Sequence, residues 1–223
     1  PVNPHNDMTH DNRRLDVFVA KFTPDGNLVW YTFIGDEGSN DYGWDIAVDS
    51  DGEVFVVGQT NNWYLFYPDN PNSWSEENRA FLAKFDNDGN FLWMHKMGRT
   101  DSPTDMAAAV DIDASGNVYV MGSNTLGWKW DDGAGTITDP LNPFIDAYGY
   151  YFIARFNNGG NYQWHTFIGP HAIGGNANGG NMDIVVKGSD IYLTGASYFR
   201  MSIPGVVPAI DHDDANSEGD RVC

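Results

Sequence analysis

The residues of this chain with the most chemical reach are aromatic side chains that occur outside any repeated pattern and stand among Asp and Asn. Trp63, Tyr64, Phe66 and Trp74 share one long segment, Trp128 and Trp130 a second, and Tyr198 and Phe199 a third. An indole or phenol face beside carboxylates and carboxamides suits stacking and hydrogen bonding to a sugar; it suits a hot spot of a protein interface equally well. Trp63, Tyr64, Trp74, Trp128, Trp130 and Tyr198 are therefore the candidate ligand-binding residues. The competing reading is that these rings pack down and anchor their own long loops.

Two acidic runs, Asp86-Asn87-Asp88-Gly89 and Asp111-Ile112-Asp113-Ala114-Ser115-Gly116, open like calcium loops. An EF-hand also needs a bidentate Glu at its twelfth position, and Met97 and Gly122 stand there. Hairpin turns call for the same Asp and Gly, so turns are expected and no cofactor follows, with calcium as the alternative. His5, His10, His95, His165, His171 and His212 are scattered without a repeated ligand spacing, and no metal site is assigned. Gly-x-Ser-x-Gly, His-Glu-x-x-His and phosphate-cradling patterns are absent, so no catalytic residue is assigned and a non-catalytic role is expected. Paired carboxylates for glycoside cleavage stay open, because sequence carries no distances.

Charge narrows the partners. With 31 Asp and Glu against 12 Lys and Arg the formal net charge is −19, and no basic stripe for a phosphate backbone is visible. Nucleic acid and an anionic membrane surface are excluded on that ground. No apolar run reaches the roughly 18 residues of a membrane span. The single cysteine, Cys223, leaves no internal disulfide to form.

What must position the aromatic segments is a unit written three times. Val17-Phe18-Val19-Ala20-Lys21-Phe22 returns as Ala80-Phe81-Leu82-Ala83-Lys84-Phe85 and as Tyr151-Phe152-Ile153-Ala154-Arg155-Phe156. Each copy runs into a turn (Asp25-Gly26-Asn27, Asp88-Gly89-Asn90, Gly159-Gly160-Asn161), then a Trp (Trp30, Trp93, Trp164) and a Gly (Gly35, Gly98, Gly169). A period of about 60 to 70 residues built from short strands points to the blades of a propeller. The strands expected are 17–22, 28–34, 44–48 and 53–58, then 80–85, 91–97, 106–112 and 117–122, then 151–156, 162–168, 182–187 and 190–195. Apolar residues on both alternating faces, as in Val17 to Phe22, fit sheets sandwiched between neighbours. The recurring Lys21, Lys84 and Arg155 should form ion pairs that fix blade packing, a channel lining being the alternative. Trp30, Trp93 and Trp164 recur and are read as blade core.

The blocks Asp16 to Trp30 and Ala47 to Gly58, with Asp111 to Gly122 as a further copy, resemble the bacterial beta-propeller repeat called SBBP, for seven-bladed beta propeller. The resemblance covers roughly 16–60, 79–123 and 150–196, and the third copy departs from it with Gly159-Gly160 for Asp-Gly and a shorter Gly188-Ser189 turn. It implies an all-β propeller of four-stranded antiparallel blades, and it places Ile46 to Val48, Ala109 to Ile112 and Ile184 to Val186 nearest the axis. On that phase the chain divides into a half blade and loop at 1–43, a blade at 44–97, a blade at 105–168 and a half blade at 182–223, all parts of one propeller. Such repeats are common in long exported bacterial proteins, which implies an extracellular or cell-surface setting.

In an antiparallel meander the connections alternate between the two ends of the sheet. All the tight turns then fall at one end, and 35–43, 59–78, 98–105, 123–149, 169–181 and 196–220 fall at the other. Long loops on a rigid scaffold are where function concentrates. A protein or glycan partner is expected there. Asp220 to Cys223 falls where Leu15 to Phe18 falls, and Pro1 to Pro4 resembles Pro68 to Pro71, so the chain reads as an interior piece of a longer protein. The remaining blades are expected from further sequence or from another chain. The expectation is a rigid binding, adhesion or display scaffold. The alternatives are a carbohydrate-binding or polysaccharide-active domain using the loop aromatics, and a structural repeat of a surface filament.

Overall fold

The computed structural model describes residues 15–35, 40–60, 79–98, 105–124, 127–131, 137–142, 150–170 and 182–196. Its elements are strands: β1 (Val17–Phe22), β2 (Leu28–Ile34), β3 (Tyr42–Val48), β4 (Val54–Thr60), β5 (Arg79–Phe85), β6 (Phe91–Met97), β7 (Met106–Ile112), β8 (Val118–Asn124), β9 (Trp130–Asp131), β10 (Ile137–Thr138), β11 (Tyr150–Phe156), β12 (Tyr162–Pro170), β13 (Asp183–Lys187) and β14 (Asp190–Thr194). Among the described residues there is no helix. Two four-stranded antiparallel sheets, β3-β4-β5-β6 and β7-β8-β11-β12, are flanked by the two-stranded sheets β1-β2 and β13-β14. The all-β propeller expectation therefore holds, and among the described residues two sheets have the four strands of a blade. The expected strands match within two residues, and β9-β10 is a small extra sheet that strand propensity did not reveal.

The tight turns fold as their composition dictates. In Asp86–Asn90 the Asp86 amide donates to the Asn90 carbonyl at 2.9 Å and the Gly89 amide donates back to the Asp86 carbonyl at 3.0 Å. Gly89 takes φ 85°, a conformation open to Gly at no steric cost. Leaving this turn, β5 and β6 slip register between Lys84 and Phe85, and the same slip occurs at Lys21/Phe22 and Arg155/Phe156. One repeated sequence builds one repeated bulge.

Packing lies between sheets as much as within them. Strands β4, β5 and β8 are buried along their whole length, which explains their lack of apolar–polar alternation. A single cluster joins Phe55 and Leu82 of one blade to Val110, Val120 and Phe152 of the next. The first strands of successive sheets pack on one another, β3 on β7 and β7 on β13. An aspartate stitches each contact: Asp45 Oδ2 accepts the Val110 amide at 2.8 Å, and Asp111 Oδ2 accepts the Val186 amide at 2.6 Å.

Of the recurring tryptophans, Trp30 and Trp93 reach across these seams. Trp30 covers Gly89, where an added Cβ would meet the indole at 2.7 Å, and donates its Nε1–H to the Asn87 carbonyl at 2.9 Å. Trp93 covers Gly160 of the following blade in the same way. A residue that recurs once per repeat can serve the joint between repeats, which strand patterning alone does not distinguish from blade core.

Candidate functional site

The two ends of the sheets have opposite chemistry. At the tight-turn end the acidic groups are consumed by the turns themselves. Asp86 Oδ1 accepts the amides of Asp88 at 2.9 Å and Asn90 at 2.8 Å, and its Oδ2 accepts the Asn90 carboxamide at 2.8 Å. These bonds, led by the Asn90 side chain, hold Asp86 below the usual carboxylate range. Asp113 repeats the arrangement with Ser115, Asn117 and the Tyr119 hydroxyl. Partial burial opposes the effect there, yet the hydrogen bonds keep its pKa low. Both carboxylates thus serve as turn caps, and among the described residues no three His, Cys, Asp or Glu converge as a metal site.

The recurring cations belong to this end too. Lys84 lies buried over the Phe55 ring at 5.1 Å, pairs with Glu53 at 2.5 Å and donates across the seam to the Asn158 carbonyl at 3.0 Å and to its side-chain oxygen. Lys21 reaches Asn87 of the next blade in the same way. Arg155 lies over Tyr119, 5.5 Å from the ring centroid. Lys21 and Lys84 thus join successive blades, the expected ion pair is described only at Lys84, and the described contact of Arg155 with Tyr119 lies within its own blade.

At the long-connection end polar groups are buried. Asp41, Gln59, Thr60, Arg79, Asp105, Ser123 and Asn124 all lie below the surface at strand ends facing the long loops. Lys96 stands with them. Burial, followed by the charge of Arg79 and opposed by Asp41, lowers its amine to about 7. Such an amine is about half neutral at pH 7, so it can act as a base or nucleophile, and its charged half can bind an anion. Sequence reasoning passed over this corner, although a signal existed. Lys96 stands where the other copies carry Phe33 and Phe167, and Arg79 where they carry Asp16 and Tyr150. Two cations that break the repeat at adjacent strand ends mark a place where the repeat serves something other than packing.

Of the aromatic candidates, Trp63, Tyr64, Trp74 and Tyr198 lie outside the described residues. Trp128 and Trp130 are buried, 2% and 8% exposed. Trp128 stacks on His165 with centroids 4.1 Å apart, and Trp130 stacks on Tyr162 at 4.7 Å. Just beyond β10, the Leu141 amide donates to the His165 carbonyl at 2.8 Å, while Asn142 donates to the Phe167 carbonyl at 2.6 Å and accepts the Phe167 amide at 2.9 Å. Segments 127–131 and 137–142 thus strap the outer strand β12 and cover part of its open edge. This burial favours the anchoring role for both indoles. His165 is sealed beneath the strap. Its Nε2 faces the Trp128 carbonyl at 3.0 Å, which can only accept, so Nε2 carries the proton and Nδ1 accepts from the Tyr162 hydroxyl at 2.6 Å. Desolvation pushes His165 down to about 4 and Tyr162 up to about 12, so both are neutral fixtures of the core.

Four-stranded antiparallel sheets stacked through their faces and joined at their first strands define blades of a β-propeller. The family model described as Beta-propeller repeat, SBBP, matches residues 29–67, a span that takes in β2, β3 and β4. Over those residues the chain is similar to a beta-propeller repeat. No curated protein matches it.

Proposed function

We propose that this chain is a non-catalytic extracellular propeller module, a rigid scaffold for binding, adhesion or display in a larger secreted or surface-attached bacterial protein. The observation that carries the reading is the asymmetry between the ends. The tight-turn end spends its carboxylates and cations on capping and seams, whereas the opposite end carries the long connections and a buried rim of repeat-breaking polar groups. A glycan or protein partner is taken up on that second face, with Trp63, Tyr64, Trp74 and Tyr198 as its aromatic contacts. No part of this role requires a bound metal or cofactor.

The test is a glycan array and a surface-protein binding screen with the whole chain, followed by Trp74→Ala and Trp63→Ala. Loss of binding at an unchanged melting temperature is the expected result. Binding that survives both changes and disappears with Asp88→Lys, at the tight-turn end, would reverse the assignment of faces. Cell fractionation of the source bacterium tests the location, and a purely cytoplasmic signal overturns it.

A further inference from the structure

The strap holds β12 through one short motif, Pro140-Leu141-Asn142-Pro143, in which each position has its own task. The Asn142 carboxamide acts as a peptide group turned toward the strand. Its Nδ2 donates to the Phe167 carbonyl at 2.6 Å, and its Oδ1 accepts the Phe167 amide at 2.9 Å and the Thr166 hydroxyl at 2.8 Å. A carboxamide can donate and accept at once, where a carboxylate would set oxygen against oxygen. Leu141 contributes its backbone alone. Its amide donates to the His165 carbonyl at 2.8 Å, while its side chain is 69% exposed. Each proline lacks an N–H and pushes the residue before it, Asp139 or Asn142, toward extended backbone. The motif thus caps a strand edge and offers little edge of its own.

Pro-x-Asn-Pro occurs twice more, as Pro68-Asp69-Asn70-Pro71 and Pro1-Val2-Asn3-Pro4. The position that varies is the one whose side chain the clasp does not use. Place in the repeat agrees as well. Residues 68–71 and 140–143 both belong to the connection between the second and third strands of a four-stranded sheet. The strands that follow are equivalent: Ala83↔Met94 and Phe81↔Lys96 in one blade match Ala154↔His165 and Phe152↔Phe167 in the other. Among the described residues β6, like β12, is the outer strand of its sheet. Met94 and Lys96 therefore turn outward the backbone groups that His165 and Phe167 turn outward on β12.

We propose that the outer edge of β6 is a docking site for the Pro68–Pro71 segment of the same chain, with the Asn70 carboxamide bridging the backbone of Lys96 and the Asp69 amide meeting the Met94 carbonyl. Residues 68–71 lie outside the described ones; the recurring motif and the equivalent receiving strand carry the assignment. The reach is short, because β6 lies only about 5 Å from the β5 strand into which the segment leads. One element differs. His95 stands where Thr166 does, so the hydroxyl bond is not repeated and the β6 clasp rests on the three bonds to backbone. The clasp is independent of the ligand that the loop face takes up.

The experiment is amide hydrogen exchange on the whole chain, read residue by residue by nuclear magnetic resonance. Asn142→Leu calibrates it: the Phe167 amide should exchange roughly tenfold faster, with the Lys96 amide unchanged. Asn70→Leu should do the converse, quickening Lys96 by a similar factor and leaving Phe167 as it was. Asp69→Leu should alter neither. A Lys96 amide indifferent to Asn70→Leu overturns the proposal, as does a Phe167 amide that Asn142→Leu leaves unchanged. Quickening of both amides together in Asn70→Leu overturns it as well, because a clasp on β6 does not touch β12. Lys96 protection that falls on dilution would give the site to a segment of a second copy instead.

Discussion

Strands β5 and β1 are nearly the same sentence, Ala-Phe-Leu-Ala-Lys-Phe and Val-Phe-Val-Ala-Lys-Phe, yet their fates differ. Phe81 and Phe85 of β5 are buried, while Phe18 and Phe22 of β1 are 73% and 58% exposed. On the opposite face Val17 and Val19 are buried like Ala80 and Leu82. The strands pair with their following hairpin partners in equivalent registers, so local structure is not the cause. What differs is the neighbour: β5 has β4 beside it, and β1 has no strand on that edge among the described residues. Strand formation is written in the strand, but burial is written in the sheet that covers it.

The largest effect should come from breaking that equivalence at the phenylalanine. Phe152→Ala empties a filled site against Gly122 and should cost about 3–5 kcal/mol of unfolding free energy. Phe18→Ala removes an exposed ring and should cost less than about 0.5 kcal/mol. Chemical denaturation of the two variants measures the difference directly. Equal costs would mean that β1 is covered as β5 is.

The second effect turns on pH. His165 stands on β12 at the position that Tyr31 takes on β2, and His165, unlike Tyr31, lies under the strap formed by residues 127–131 and 137–142. Its pKa falls from 6.5 in the unfolded chain to about 4 in the fold. Between those values the unfolded chain binds the extra proton, so stability drops as pH falls from about 6.5 toward 4, by on the order of 3 kcal/mol. Denaturation midpoints at pH 7 and pH 4.5 should therefore lie closer together in His165→Phe than in the parent chain. A parent slope that His165→Phe leaves unchanged would show that the ring is already accessible to protons.

Much of this was legible because a repeat multiplies every signal. Turn glycines, alternating apolar runs and the recurring Trp fixed the strands and the propeller class, three copies testifying to each. The joints were less legible. Trp30 and Lys21 look like blade residues in one repeat, and their partners Gly89 and Asn87 lie a full repeat away. The strap was illegible for the opposite reason: residues 127–142 occur once, and their two-residue strands carry no period. Lys96 and Arg79 could have been found by asking where the copies disagree, a question that periodicity discourages. Of the six aromatic candidates, the two described ones proved buried because a long loop has its own edge to hold down.

A smaller contrast tests the seam cations. Lys84 is 4% exposed and holds Glu53 and Asn158, whereas Lys21 holds Asn87 in a more open setting. Lys84→Met keeps the stem over Phe55 but strands Glu53, and should cost about 2 kcal/mol. Lys21→Met should cost less than about 1 kcal/mol, as exposed polar contacts do. Urea titrations of both variants rank them, and a reversed order would place the stronger joint between β1 and the first whole blade.

The smallest expected effect isolates one hydrogen bond of the same joint. Trp30→Phe keeps an aromatic face over Gly89 but removes the Nε1–H that the Asn87 carbonyl accepts at 2.9 Å. The Asn87 carbonyl still receives Lys21 at 3.2 Å and is not left bare, so the loss should be about 0.5–1 kcal/mol. Hydrogen exchange localises it. Protection should fall in β1 and β2, which are held to the next blade at this end by the bonds to Asn87 and the Trp30–Gly89 contact, and stay unchanged in β11 and β12. Loosening that spread evenly over both whole blades would show that the half blade is not a separate unit but part of one cooperative stack, and the contrast between β1 and β5 would then be one of exposure alone.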